Sequence, residues 1–293
     1  MKVHEPELIL GDAANIPLAD NSVDLVITSP PYGSQRSYGI GFVMGDPEWV
    51  QWTADCFVEC TRACKGLVAF VVEGYTRKGT FHPLPELLTA ELHRRGVNLR
   101  QRNIFMKHGA FGGSPDEFAR KHEIVVCGSK NAGRLPYANP KACGHPPKCP
   151  PGGIPSHQSR DGRVNRPRLH QAGGGSERRK VKQYKPPQLC KASDVIDCGA
   201  VGGGNMGSWL SGENEASFPE KLADRYVRSF SRLGDTVLDP FVGSGTTLAV
   251  AMKTGRKSIG IDIRESQIDL CKRRIEEARS IINGPSYTQQ EAT

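Results

Sequence analysis

Two stretches of this chain hold residues whose types and spacing could do chemistry. The first is Thr28-Ser29-Pro30-Pro31-Tyr32. It follows Val23 to Ile27, an apolar run broken only by Asp24, whose length and β-branching predict a buried strand. Two consecutive prolines forbid helix and remove two backbone donors. Ser29, preceding Pro30, is pushed to extended backbone. A strand therefore ends in a stiff elbow that carries a hydroxyl, unpaired carbonyls and an aromatic ring. This is the strand end at which open α/β sheets bind ligands. The same residues also suit a proline-rich loop that packs a core tyrosine.

The second stretch runs from Thr236 to Thr247, T-V-L-D-P-F-V-G-S-G-T-T, a buried strand entering a glycine turn, with a helix expected from Leu248. Gly243 and Gly245 permit positive φ and close approach of a ligand to the backbone, and the following helix offers free N–H groups. No Lys follows Gly245, so this is not a P-loop. The third glycine of a dinucleotide fingerprint is also missing. Strand, Asp239, Gly-x-Gly and helix suit a zwitterion or a ribose better than a pyrophosphate. The next strand, Ser258 to Ile261, ends at Asp262, where an acid is placed to bind ribose hydroxyls.

S-P-P-Y at Ser29–Tyr32, F-P-x-x-L at Phe218–Leu222, D-P-F-x-G-S-G-T-T from Asp239 and G-I-D-I from Gly260, in that order, resemble the β-class DNA amino-methyltransferases. The resemblance covers roughly residues 7–128 and 214–282. It implies methyl transfer from S-adenosylmethionine to N4 of cytosine or N6 of adenine. It places Phe218, Pro219 and Leu222 beside the cofactor, with Asp239, Pro240, Phe241, Gly243, Ser244, Gly245, Thr246, Thr247 and Asp262. Asp12, in the turn after Glu7–Leu10, would lie near the adenine or simply shape the turn. The implied fold is an α/β Rossmann-like methyltransferase domain with a mostly parallel twisted sheet. It would be circularly permuted: the C-terminal part supplies the first two strands, the N-terminal part the third onward.

The elements that must position these residues follow from pattern. Asp46-Pro47 reads as an N-cap and N1 proline opening a helix to about Lys65, with Trp49, Thr53, Cys56 and Cys60 inward, Cys64 on the same face as the last two, and Gly66 as its stop. Leu67 to Val72 is a continuous apolar run, hence a central strand. A helix over Pro85–Arg95 would turn Leu84, Leu87, Leu88 and Leu92 inward. Asn103–Lys107 and Glu123–Cys127 read as strands. Ser217 to Glu220 reads as a capping box, with Phe218, Leu222, Tyr226, Phe230 and Leu233 down one helical face. A final amphipathic helix carries Ile268, Cys271, Ile275, Ala278 and Ile282. Gly33 to Gly45, with Ser37 and Tyr38, is expected to form a loop over the site.

Residues 129–212 differ in kind. They are rich in Gly and Pro and hold 14 Lys/Arg against 4 Asp/Glu, a net of +10 in a chain whose total is +8. The organisation expected is a catalytic half over 1–128, a basic insertion over 129–212 and a cofactor-binding half over 213–293. Arg160, Arg163, Arg166, Arg168, Arg178, Arg179, Lys180 and Lys182 could follow phosphates; the alternative is a solvated linker. In the family this position holds the target-recognition region. Cys143, His145, Cys149, His157, His170, Cys190 and Cys198 show none of the usual zinc spacings, and no metal is expected.

The nine scattered cysteines and the absence of a signal-like or membrane-length apolar run lead to an expectation of a cytoplasmic enzyme without a membrane partner. Double-stranded DNA is the expected partner, with a restriction endonuclease if the enzyme serves a restriction-modification system. The expected chemistry is direct displacement on a flipped base. The Ser29 hydroxyl and Pro30 carbonyl would accept from the exocyclic amine, Pro31 would stiffen the elbow and Tyr32 would stack on the base. In the resembled family serine at the first position of the tetrapeptide is commonest among N4-cytosine enzymes and aspartate among N6-adenine enzymes, with exceptions both ways, so the resemblance favours N4 of cytosine over N6 of adenine. Cys149-Pro150 reverses the order that a C5-cytosine nucleophile needs. The rival of another class is a non-catalytic DNA-binding protein on the same scaffold.

Overall fold

Strands β2 (Val23–Thr28) and β3 (Cys64–Val72) are apolar almost throughout because each is covered on both faces. In β2, Val26 points into a core shared with Trp49, Phe57 and Leu88, while Leu25 and Ile27 point into a core shared with Leu222, Tyr226 and Val250. The first core belongs to helices α1 (Asp46–Ala63) and α2 (Leu84–Arg94); the second belongs to α3 (Glu220–Phe230) and α4 (Thr246–Lys253). The computed structural model describes residues 2–32, 44–107, 116–147, 187–197 and 218–284.

The sheet follows the order β1 (Glu7–Leu10), β11 (Lys257–Asp262), β10 (Thr236–Asp239), β2, β3, β8 (His122–Ser129), β7 (Asn103–Met106), β9 (Val195–Asp197). Pairing is parallel from β1 through β3, antiparallel at β3–β8 and β8–β7, and parallel again at β7–β9. A short strand β6 (Asn98–Leu99) pairs with β8. Strands β4 (Tyr75–Arg77) and β5 (Thr80–His82) form a separate hairpin. Helix α5 (Glu265–Ile282) packs Ile268, Cys271 and Ile275 against α4. The late strand β10 lies directly beside the early strand β2, with Val237 opposite Leu25 and Leu238 opposite Val26. This is the expected α/β permutation: the order reverses at β10, and its carboxyl end meets that of β2.

Several local expectations are corrected. Helix α1 ends at Ala63, so Cys64 begins β3 instead of sharing a helical face with Cys56 and Cys60. Gly66 lies inside β3, where an added Cβ would sit 1.9 Å from the Asp24 carbonyl oxygen at a register shift between the strands. Gly45 is the N-cap of α1; the Asp46 carboxylate is engaged by the Tyr75 hydroxyl and by His82. Leu87 is exposed, and Leu233 lies beyond the end of α3 and is also exposed. Pro219 caps α3, while Ser217 of the expected capping box lies outside the described residues, as does the segment 33–43. Glu220 instead pairs with Lys253 and Arg274, tying α3 to α4 and α5.

Residues 1–139 and 193–293 form one compact unit and Pro140–Ala192 a second. Strand β9 falls within the expected insertion yet extends the sheet beside β7. Within the second unit, Cys190 donates its N–H to the His145 carbonyl at 2.9 Å. Among the described residues no group of three His, Cys, Asp or Glu could hold a metal. Cys149, His157, His170 and Cys198 lie outside them.

Candidate active site

The glycine turn is built by close packing. Gly245, the N-cap of α4, has φ 81°, and a Cβ there would meet the Cys271 sulfur at 2.5 Å. Gly260 in β11 faces Val242 and Leu248, at 2.7 and 2.9 Å from where its Cβ would be. The backbone of the turn is therefore held tightly between α5 and β11. The Gly243 N–H donates to Asp262 Oδ2 at 3.2 Å, while Asp262 Oδ1 accepts from the Arg264 N–H at 3.0 Å and its Nε at 3.3 Å. The acid at the tip of one strand thus fixes the loop after its neighbour.

Asp239 is 2 % exposed. Its Oδ1 accepts from the Thr28 hydroxyl at 2.5 Å and the Phe241 N–H at 3.2 Å, and its Oδ2 from the Thr247 hydroxyl at 2.7 Å. Burial pushes its carboxyl up to about 6, against the opposing pull of those two hydroxyls and the N–H. Burial likewise pushes the Cys271 thiol beneath the loop up to about 12, so it stays neutral.

The elbow sits across the switch point. The Pro31 carbonyl accepts the Trp49 indole N–H at 2.7 Å. The Ser29 hydroxyl lies 3.3 Å from the Val71 carbonyl and 3.4 Å from the Tyr32 oxygen. A cavity of about 240 Å³ joins elbow and loop. Among its walls are Asp12, Ser29, Pro30, Pro31, Phe218, Asp239, Pro240, Phe241, Gly243, Ser244, Thr246 and Asp262, all singled out in the sequence. Gly11, Ala13, Met44, Trp52, Val242, Ile263 and Arg264 also line it. Buried Ser244 Oγ and Thr246 Oγ1 have no hydrogen-bond partner among the described residues. Two unsatisfied hydroxyls on a glycine cradle, beside a pair of carboxylates, fit a ligand with a charged amino-acid end and a ribose.

Other expected residues stand elsewhere. Tyr32 is 3 % exposed, a core ring whose hydroxyl donates to Glu123 Oε2 at 3.1 Å. It is not among the residues that line the cavity. Leu222 is wholly buried against Ile27 and Val250, one layer behind the cavity. Pro219, Gly245 and Thr247 shape the cavity without lining it. Arg160, Arg163, Arg166, Arg168, Arg178, Arg179, Lys180 and Lys182 lie outside the described residues. Sequence reasoning missed Trp52, whose ring meets Phe241 at 5.6 Å between centroids. Its signal was its place one helical turn from Trp49, off the inward stripe.

Fold and cleft define a class: a doubly wound sheet that binds a nucleoside-bearing ligand at its switch point. The chain matches the DNA methylase family model over residues 23–273 and belongs to that family of N6- and N4-amino-methyltransferases. It is 26% identical over 262 residues to the DNA adenine methyltransferase YhdJ of Escherichia coli (strain K12), covering 88% of this chain and 77% of the relative. Two solved structures share the fold. The TTHA0409 protein of Thermus thermophilus, in complex with S-adenosyl-L-methionine, aligns with TM-score 0.60 at 23% identity over 94% of both chains. The cytosine-N4-specific PvuII DNA methyltransferase aligns with TM-score 0.65 at 17% identity over 96% of this chain and 93% of its own. Among the described residues no helix is long and apolar enough to cross a membrane.

Proposed function

We propose that the protein transfers a methyl group from S-adenosylmethionine to N4 of cytosine in duplex DNA, with the target base flipped into the cleft. The observation that carries this reading is that the Ser29–Pro30 elbow and the Asp239–Thr246 turn line one cavity. The bound cofactor supplies an electrophilic methyl on a sulfonium. The chain supplies position. The unsatisfied Ser244 and Thr246 hydroxyls and the α4 N-terminus suit the cofactor's carboxylate, Asp239 its ammonium, and Asp262 its ribose hydroxyls. Ile263, exposed beside Asp262, offers an apolar face to adenine.

An exocyclic amine is a poor nucleophile because its lone pair is conjugated into the ring. The Ser29 hydroxyl and Pro30 carbonyl would accept its N–H groups and turn the lone pair toward the methyl, a gain from orientation. The Pro31 carbonyl is already held by Trp49, which leaves the Pro30 carbonyl for the base. Ser29 is the ground for preferring cytosine, because in the family that this chain resembles serine at the first position of the tetrapeptide is commonest among N4-cytosine enzymes. N6 of adenine is the second reading, favoured by the similarity to YhdJ. DNA treated with the protein, digested to nucleosides and read by mass, is expected to contain N4-methylcytosine. N6-methyladenine alone would move the assignment to adenine.

The basic run supplies DNA affinity in this reading. Neutralising Arg178, Arg179 and Lys180 is expected to weaken binding and lower the log–log salt slope by ~0.9 for each phosphate left without its cation. An unchanged slope would make the run a linker.

A further inference from the structure

Behind the elbow lies a buried ionisable cluster that methyl transfer by position alone does not require. Glu73 follows the end of β3, Lys107 follows β7, and Glu123 lies near the start of β8. Lys107 Nζ stands 2.7 Å from Glu73 Oε1 and 3.2 Å from Glu123 Oε1, with all three side chains at most 16% exposed. The other oxygen of Glu123 accepts the Tyr32 hydroxyl at 3.1 Å, and the Tyr32 oxygen is 3.4 Å from Ser29 Oγ. The contacts run unbroken from the cavity wall to a buried carboxylate. Burying charges is costly, and packed apolar residues would serve stability as well or better. Among the described residues the charges are also uneven: two carboxylates share one ammonium, which leaves room for one proton.

We propose that Glu123 takes up, through Tyr32 and Ser29, the proton that the target amine must lose on methylation. The inference rests on the methyltransfer reading above and holds for either base. As the new N–C bond forms and the C–S bond breaks, the sulfur keeps its electron pair and the amine nitrogen becomes cationic. One N–H proton passes to Ser29 Oγ, the Ser29 proton to the Tyr32 oxygen and the Tyr32 proton to Glu123 Oε2. The electrons of the broken N–H bond return to nitrogen as its lone pair. The methylated amine ends neutral, and the cluster, with Glu123 protonated beside Lys107 and Glu73, ends neutral as well. The proton returns to solvent by the reverse path once product has left. Glu123 and Lys107 act through Tyr32 and Ser29 and are positioning residues.

The charge environment agrees. Burial raises the Glu123 carboxyl above its ordinary value, Lys107 lowers it, Glu73 raises it and Tyr32 lowers it, with the net effect upward. A carboxylate raised in this way holds a transferred proton better than an exposed one. Among the described residues these are the titratable and charged groups against it. Transfer needs Glu123 ionised, so the rate should fall as pH drops through its raised value.

The test is single-turnover transfer of radiolabel from S-adenosylmethionine to unmethylated genomic DNA across pH, with Glu123→Gln, Tyr32→Phe and the double variant. Each single variant is expected to be about 10–100-fold slower at pH 7. Cofactor affinity by calorimetry should be unchanged, the acid limb of the rate profile should vanish in Glu123→Gln, and the double variant should be no slower than the slower single. A Glu123→Gln protein with the wild-type rate, or a slowed one that keeps the wild-type acid limb, would overturn the relay. Tyr32→Phe keeps the packed ring and gives the same readout should the glutamine variant fail to fold. No transfer by the wild-type protein would overturn the parent reading and the relay with it. Transfer by the wild-type protein at a rate both variants match would overturn the relay alone.

Discussion

The two walls of the cleft are made in different ways. The cofactor wall is local: from Asp239 to Thr247 the chain turns on itself, with Cys271 leaving no space for a side chain at Gly245, while Val242 and Leu248 of the same stretch and its helix leave none at Gly260 of β11. Among the described residues two of its hydroxyls, Ser244 and Thr246, have no partner, so capacity to bind is stored in them. The catalytic wall is assembled from distant parts. Trp49 of α1 holds the Pro31 carbonyl, Val71 of β3 and the Tyr32 hydroxyl flank Ser29, and Glu123 of β8 holds Tyr32. Among the described residues the binding wall thus keeps the Ser244 and Thr246 hydroxyls free, whereas the orienting wall ties its Ser29 and Tyr32 hydroxyls down.

Separate substitutions should therefore separate the two functions. Ser29→Ala is expected to slow methyl transfer on the order of 100-fold while cofactor affinity stays within error. A matching loss of cofactor binding would mean that the hydroxyl belongs to the binding wall. Asp262→Ala is expected to do the opposite. Loss of hydrogen bonds to a charged acceptor, roughly 2 kcal/mol, weakens cofactor binding about 30-fold. Saturating cofactor should restore most of the rate. Calorimetry showing unaltered affinity would remove Asp262 from the site.

The smallest effect sharpens the seam between the walls. Asp239 carries a carboxyl raised to about 6 from 3.8, chiefly by burial. Between those values the native state binds more protons than the unfolded chain, so stability falls as pH rises from about 4 to about 6. Asp239→Asn should remove that fall and be more stable than wild type by about 1 kcal/mol at pH 7. This is less than the full shift allows, because the new amide must find acceptors. Urea midpoints for both proteins from pH 4 to 7 would show it. Parallel curves would place the titration of Asp239 elsewhere.

What could be read in the sequence was whatever depends on neighbours along the chain. The double proline, the Gly-x-Gly turn and the acid after the next strand declare themselves because backbone sterics act over a few residues. Parallel strands buried on both faces read as unbroken apolar runs, so β2, β3 and β10 were legible, and motif order then implied the permutation. The local pattern failed where a tertiary contact competes with it. Cys64 and Gly66 look like the end of a helix, yet pairing with β2 begins β3 there, and the Asp24 carbonyl explains the glycine. Asp46 looks like a cap, yet its carboxylate is taken by Tyr75 and His82. Tyr32 shows the limit most clearly. Its sequence neighbours allow either a stacking ring at the tip of the elbow or a core tyrosine. Only the packed sheet buries the ring and places Glu123, 91 residues away, within hydrogen-bond reach of its hydroxyl. A side chain's partner is set by which strands become adjacent, and that adjacency is a property of the folded sheet.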